Sequence, residues 1–566
     1  MFYMNDSSFR VARGEKNADL VISNASIIDV FNNTIYKSNI AIYDGIIVGI
    51  GDYKGREVID VEGAYVMPGL IDSHLHIESS MMTPKRFGDT VINHGITTII
   101  ADPHEIANVC GVSGVKYMIE DSKNTQCDIK MMLPSCVPAT AFETAGAELN
   151  AKVIEELITN EEIFGLGEMM NYPAVINGFG SVTAKLISTL RAGKVIDGHC
   201  PNVRGNDLNV YILSGIKTDH ECSEIEEAKE KISKGMYIQV REGGVCKDLK
   251  ALIPLAKTPA YRRMVFCSDD CHPDFLINGT INNSIKLAVS EGVDFVTAVT
   301  MATLNASECY NLNDRGAIAI GRIADLVIID DIESFNIQRV YKAGKLVSYR
   351  GVLINEIAEN ETSSKPLNNF VCERISEKDF GISITTDKAR LIEIYPNGIV
   401  TGNTVIDTRE IDESINKLCV YNRYSNSGDK GLGLVKGYGI KGGAVAMSIA
   451  HDSHNIIAIS DNDADLACAI NEIVNIKGGI TVCSGGKVLE TLPLEVGGLM
   501  TDKSVEFINE RYEKITEIAR SLGVEESIHP LLSLSFLALP VIPHLKLTDK
   551  GLFDVDKFEF TSTEVV

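Results

Sequence analysis

The sequence predicts an α/β protein: a TIM-type (β/α)8 barrel set inside a split β-sandwich domain and followed by a C-terminal α/β or α+β domain. Three observations carry this. Eight apolar runs alternate with helical patterns through the middle of the chain. The scarce histidines of that region gather where the runs end, and two stretches of short alternating strands flank the whole repeat.

In chain order, residues 19–66 read as short strands, "DLVISNASIIDV", "TIYKSNIAIYDGIIVGIGD" and "EVIDVEGAYV", broken by turn signals at "DG" and "GD". The same texture returns at 322–353, "RIADLVIIDDIESFNIQRVYKAGKLVSYRG". One β domain, residues 1–65 plus 316–365, is therefore expected around a barrel at 66–315. The barrel runs end at "MPGLIDSHLH", "GITTIIADPHE", "DIKMMLPSCVP", "IFGLGEMM", "KVIDGHCP", "IKTDHEC", "MYIQVREGG" and "MVFCSDDCHP". Helical stretches such as "NAKVIEELITN" and "SEIEEAKEKISKG" lie between them. In such a barrel the strand ends form the face that carries the active site. The polar stretch "ENETSSKPLNN" reads as a linker to a C-terminal domain at 366–566, with strands such as "GISITT" and "NIIAIS".

At 566 residues the chain exceeds one ordinary domain. A formal charge of −24 argues against nucleic acid or an anionic membrane as partner, since either needs a basic stripe. No apolar run of about 18 residues indicates a membrane span, and the N-terminal residues lack the apolar core of a signal peptide. The 13 cysteines form no framework, which suits reduced thiols in a cytoplasmic protein. Cys267 and Cys271 flank two aspartates, but without a second cysteine pair they do not read as a zinc site.

His74 and His76 share one face of their strand because side chains repeat every two residues, so both reach one point beyond its end. Glu168 ends the fourth run, His199 the fifth, His220 the sixth and Asp269 the eighth. Each has a plainer reading alone, as a solvated strand end or a cap. Projected to one barrel mouth, four imidazoles and two carboxylates suit one or two divalent transition ions. His104 and Glu105, in "DPHE", sit at the mouth after the second strand, placed to hydrogen-bond substrate or relay protons. Arg241 and Glu242, in "VREGG", either contact substrate or form an internal ion pair. Asp270 is a candidate to orient a neighbour of Asp269. His451 and His454, in "HDSHN", either reach the mouth or pack within their own domain. His94, His529 and His544 read as structural.

"MPGLIDSHLH", the later histidines, "CSDD" and the split β domain resemble the amidohydrolase superfamily of metal-dependent hydrolases. Many binuclear members bridge their metals with a carboxylated lysine from strand 4. This chain departs from that pattern, with Glu168 in "GLGEMMNYP" and no lysine. A glutamate there resembles adenine deaminases and also N-acetylglucosamine-6-phosphate deacetylases. "ADPHEIANVCG", "FCSDDCHPD", "AHDSHNIIAISDND" and "LPLEVGGLM" are similar to the adenine deaminases of bacterial type, over essentially the whole chain. The resemblance implies hydrolysis of adenine to hypoxanthine and ammonia by metal-activated hydroxide, in purine salvage. It implies a binuclear Mn(II) or Fe(II) centre on His74, His76, Glu168, His199, His220 and Asp269. Asp269 would be ligand and proton shuttle together, since a metal-bound carboxylate keeps one free oxygen. A homo-oligomer, dimer or larger, is the expected assembly. Two alternatives stay open. One is a metal-dependent amide hydrolase such as the sugar-phosphate deacetylase, which needs a phosphate grip from basic residues. The other is a non-catalytic barrel scaffold, which should have lost ligands.

Overall fold

The structure is a computed structural model that describes residues 6–244, 246–354, 356–357, 369–396 and 398–565. The polar stretch at 359–368, expected to be a linker, lies outside the described residues.

Alternating β-branched residues put one face of Ala18–Asp29, Thr34–Tyr43, Ile46–Ile50 and Tyr65–Pro68 into a core, as the period of two requires. Strands from beyond the barrel, Leu326–Ile329, Ile337–Lys342 and Lys345–Tyr349, join the same nine-stranded sheet. The joint is antiparallel, Pro68 opposite Leu326 and Tyr65 opposite Ile329. Ile22, Ile27, Ile40, Val66, Leu326 and Ile328 pack together across it. The joint strand reaches Pro68, three residues past the expected boundary at 65.

The barrel strands are β1 (Leu70–His76), β2 (Ile96–Ala101), β3 (Asp128–Leu133), β4 (Gly165–Met169), β5 (Val195–Gly198), β6 (Thr218–Asp219), β7 (Tyr237–Arg241) and β8 (Met264–Cys267). All eight coincide with the apolar runs read from the sequence. β1 to β5 form one parallel ladder and β6 to β8 another. Asp269–Asp270, just past β8, pairs with Leu75 and His76 and closes the ring on that side. Between β5 and β6 side chains substitute for a ladder. Thr218 Oγ1 accepts from the Gly198 N–H (2.9 Å) and Asp219 Oδ1 from the Cys200 N–H (2.7 Å). Gly198 is required at this seam, because a Cβ there would lie 2.0 Å from the Thr218 carbonyl oxygen.

The C-terminal domain is α+β. A mostly antiparallel nine-stranded sheet, from Lys388–Ile394 to Lys487–Pro493, is covered by helices Asp463–Ile476 and Val505–Ser521. It lies over the barrel mouth. Thr501 and Met82 form a bridge, the Thr144 N–H donates to Asp549 (2.9 Å), and His272 Nδ1 meets the Tyr512 hydroxyl (3.0 Å). One apolar core runs unbroken from Ile106 and Val109 of the barrel to Val496 and Leu499 of this domain. No helix among the described residues is long and apolar enough to cross a membrane.

Candidate metal centre

β1 is buried along its whole length, which brings His74 and His76 into the mouth with no water to solvate them. Their other ring nitrogens are already spoken for. His74 Nδ1 meets Asp197 Oδ2 (3.2 Å), and His76 Nδ1–H donates to the Asp102 carbonyl (2.9 Å). A carbonyl only accepts, so His76 carries its proton on Nδ1 and offers the Nε2 lone pair to the mouth. His76 Nε2 lies 3.3 Å from Asp269 Oδ1 and 3.4 Å from Glu168 Oε1. His74 Nε2 lies 3.6 Å from Asp269 Oδ1 and makes no hydrogen bond. A buried ring nitrogen without a hydrogen-bond partner, facing a carboxylate, has the disposition of a metal-ligand atom.

Glu168 stands at the middle. Its backbone N–H donates to Asp102 Oδ2 (2.8 Å). The residue before it must be glycine, since a Cβ at Gly167 would lie 2.2 Å from that same oxygen. Oε1 faces His76 and His104 Nδ1 (3.4 Å); Oε2 faces His199 Nδ1 (2.7 Å) and His220 Nε2 (3.2 Å). The donor atoms of His74, His76 and Asp269 lie within 4.8 Å of one another, as do those of His74, Glu168 and His220. Nitrogen and carboxylate oxygen in this ratio suit Mn, Fe or Zn rather than a hard all-oxygen ion. Burial opposes a charged His220, yet Glu168 and Asp269 raise its pKa to about 10. A divalent ion would replace that proton.

Asp269 adopts a left-handed backbone (φ 54°), uncommon for a residue with a side chain and found at sites that need a re-aimed group. Its Oδ2 lies 3.3 Å from Arg241 Nη1. Arg241 also binds Glu221 Oε1 and Asp248 Oδ2 (2.8 Å for the latter), so it stands in a network of ion pairs. Glu242 follows directly on the end of β7. Its charged neighbours are Lys247, Asp248 and Lys250, because its backbone turns away to bridge Lys247 beyond the end of β7. Asp270 accepts a hydrogen bond from Ser79 on the rim.

Glu105 opens the helix that follows β2 and is clamped by the C-terminal domain. Oε1 meets His451 Nδ1 at 2.6 Å, and Oε2 accepts from His454 Nε2. His454 Nδ1 accepts the Ala450 N–H (3.2 Å), so the ring proton sits on Nε2 and that atom is a donor rather than a ligand. Burial works against a charged Glu105, but His451, His454 and His104 outweigh it and hold its pKa well below the usual carboxylate range. His104 Nε2 lies 3.5 Å from Glu105 Oε1, which links this clamp to Glu168.

Several groups here are absent from the sequence reading. Glu221 lies 3.4 Å from His220 Nε2 and 3.7 Å from His199 Nδ1. Asp197 also accepts from the Tyr310 hydroxyl (2.8 Å) beneath His74. Asp72 takes two bonds from Ser268 and is pushed by burial up to about 7. Asp72 and Asp197 share a signal, an aspartate two residues before a candidate ligand histidine, in "IDSH" and "IDGH".

Residues 65–347 match the amidohydrolase family, residues 397–559 the adenine deaminase C-terminal domain, and residues 4–67 the urease alpha-subunit N-terminal domain. The chain is 46% identical to an adenine deaminase of Clostridium acetobutylicum, covering 99% of this chain and 100% of that one. It is 44% identical to adenine deaminase 2 of Desulfotalea psychrophila and 45% identical to an adenine deaminase of Geobacillus kaustophilus. Both alignments cover 98% of each chain.

Proposed function

Because the chain belongs to the adenine deaminase family of the amidohydrolases, we propose that it hydrolyses adenine to hypoxanthine and ammonia at the barrel mouth. The near-full-length likeness to adenine deaminases carries the reading, and Glu168 fits it, one carboxylate facing both halves of the candidate ligand set. His74, His76 and Asp269 would hold one ion and His199 and His220 the second, with Glu168 between them, as manganese or ferrous iron. When bound, the divalent centre lowers the pKa of water toward ~7 and so supplies a nucleophile at neutral pH.

The protein moves the protons. Attack forms a C6–O bond and breaks the C6–NH2 bond, so of the two water protons one ends on N1 and the other leaves with ammonia. Asp269 would be the base that takes the second and carries it to the departing amino group, its Oδ2 held by Arg241 while Oδ1 faces the histidines. His104, backed by Glu105, is placed to serve N1, and the His451–His454 clamp keeps Glu105 charged. The deacetylase alternative needs a cation for a sugar phosphate. The guanidinium at the mouth, Arg241, is committed to three carboxylates.

The test is ammonia release from adenine against a panel of purines and N-acetyl sugar phosphates. Chelation should abolish turnover, added manganese or ferrous iron should restore it, and bicarbonate should have no effect. Full activity in metal-free protein, or acetate release in place of ammonia, would overturn the reading.

A further inference from the structure

Two buried carboxyl groups outside the candidate ligand set have oxygens without hydrogen-bond partners. Asp452 lies in the C-terminal-domain loop between the clamp histidines and is 4% exposed. Its Oδ2 has no hydrogen-bond partner, and its charged neighbours are Glu105, His104, His451 and Glu168, so it faces the centre. Glu143 comes from the barrel loop after β3 and is also 4% exposed. Neither of its oxygens makes a hydrogen bond of normal geometry, although Asp452 and Ser453 are its neighbours. Both loops are pinned. Asn455 Nδ2 donates to the Thr144 carbonyl (2.9 Å), and Lys550 Nζ donates to the Glu143 carbonyl (3.0 Å). Buried oxygens without partners are unfavourable. Two of them in adjoining pinned loops, Glu143 beside Asp452 and Asp452 toward Glu105, His104 and Glu168, point to a ligand that completes them.

Free adenine has the matching edge. C6, the reacting atom, lies across the six-membered ring from N3, and N9–H lies beside N3. With C6 at the metal ligands, the N3/N9 edge faces outward. We propose that Asp452 and Glu143 read this edge, one carboxylate accepting from N9–H and the other group, as the neutral acid, donating to N3. This rests on the adenine-hydrolysing reading and deepens it. Two acids crowded in a buried site share a proton readily. Burial raises both, Asp452 to about 6 and Glu143 well above the usual range. A nucleoside lacks N9–H and carries a sugar there, so the same pair selects the free base.

The experiment compares adenine, 9-methyladenine, 3-deazaadenine and 7-deazaadenine on the wild-type holoenzyme, by binding and by ammonia release. A site built around a hydrogen bond rejects the analogue that lacks it strongly. 9-Methyladenine and 3-deazaadenine should therefore lose at least ~10²-fold in kcat/KM, while 7-deazaadenine, whose N3/N9 edge is intact, should bind much as adenine does. Asp452→Asn and Glu143→Gln should raise KM for adenine and narrow the preference over 9-methyladenine, with metal content unchanged. Equal binding of adenine and both edge-altered analogues would overturn the assignment, even if the variants do not fold. So would variants that lose turnover but keep the full preference. Absence of ammonia release from adenine would instead strike the reaction assignment.

Discussion

In the proposed mechanism Asp269 carries two roles on one carboxylate, ligand through one oxygen and base through the other. Asp269→Asn keeps the shape and an oxygen but removes the base. Single-turnover deamination should fall ~10²–10⁴-fold, while metal analysis shows the centre largely occupied through His74, His76 and Glu168. Near-normal single turnover would move the base to Asp270. Asp197 acts one step further back, since its charge holds His74 Nδ1–H and leaves Nε2 free. Asp197→Asn should weaken metal affinity ~10–100-fold in competition with a chelator, and saturating metal should restore most of the rate. At this scale the ligands were legible because a strand end is a defined place and HxH has a defined face. Asp197 and Asp72 were not, because an aspartate near a strand end reads equally well as a solvated terminus. Only the closed ring shows that both are buried.

Among the elements, the loop His451–Asn455 shapes the site most and was the least legible. Its two histidines sit 346 and 349 residues from the carboxylate they grip, and no local pattern spans that distance. The barrel strands, by contrast, announce themselves by periodicity, and even two-residue β6 was found because its histidine marks the end. The clamp makes a distinct forecast. Glu105→Gln offers one acceptor oxygen to two imidazole donors, leaving a buried group unpaired at a cost of ~1–3 kcal/mol. The thermal midpoint should fall, and limited proteolysis should cut more readily between the barrel and the C-terminal domain, with the metal ligands still occupied. Unchanged protease resistance would show that the two domains are held together without the clamp.

At the scale of the whole molecule, the order of synthesis imposes a wait. The strand Tyr65–Pro68 has one neighbour close by, but its other edge pairs with Leu326–Ile329, beyond the entire barrel. Until that segment leaves the ribosome, the early sheet has an open edge, the kind of surface that pairs with other chains. At ~5–20 residues per second the interval is tens of seconds. Ribosome-bound chains stalled before Leu326 should therefore be protease-sensitive between residues 18 and 68, and chains stalled after Tyr349 has emerged should be resistant. The barrel is thus the object around which the β domain closes, and its first strands wait with an open edge until the chain beyond the barrel arrives.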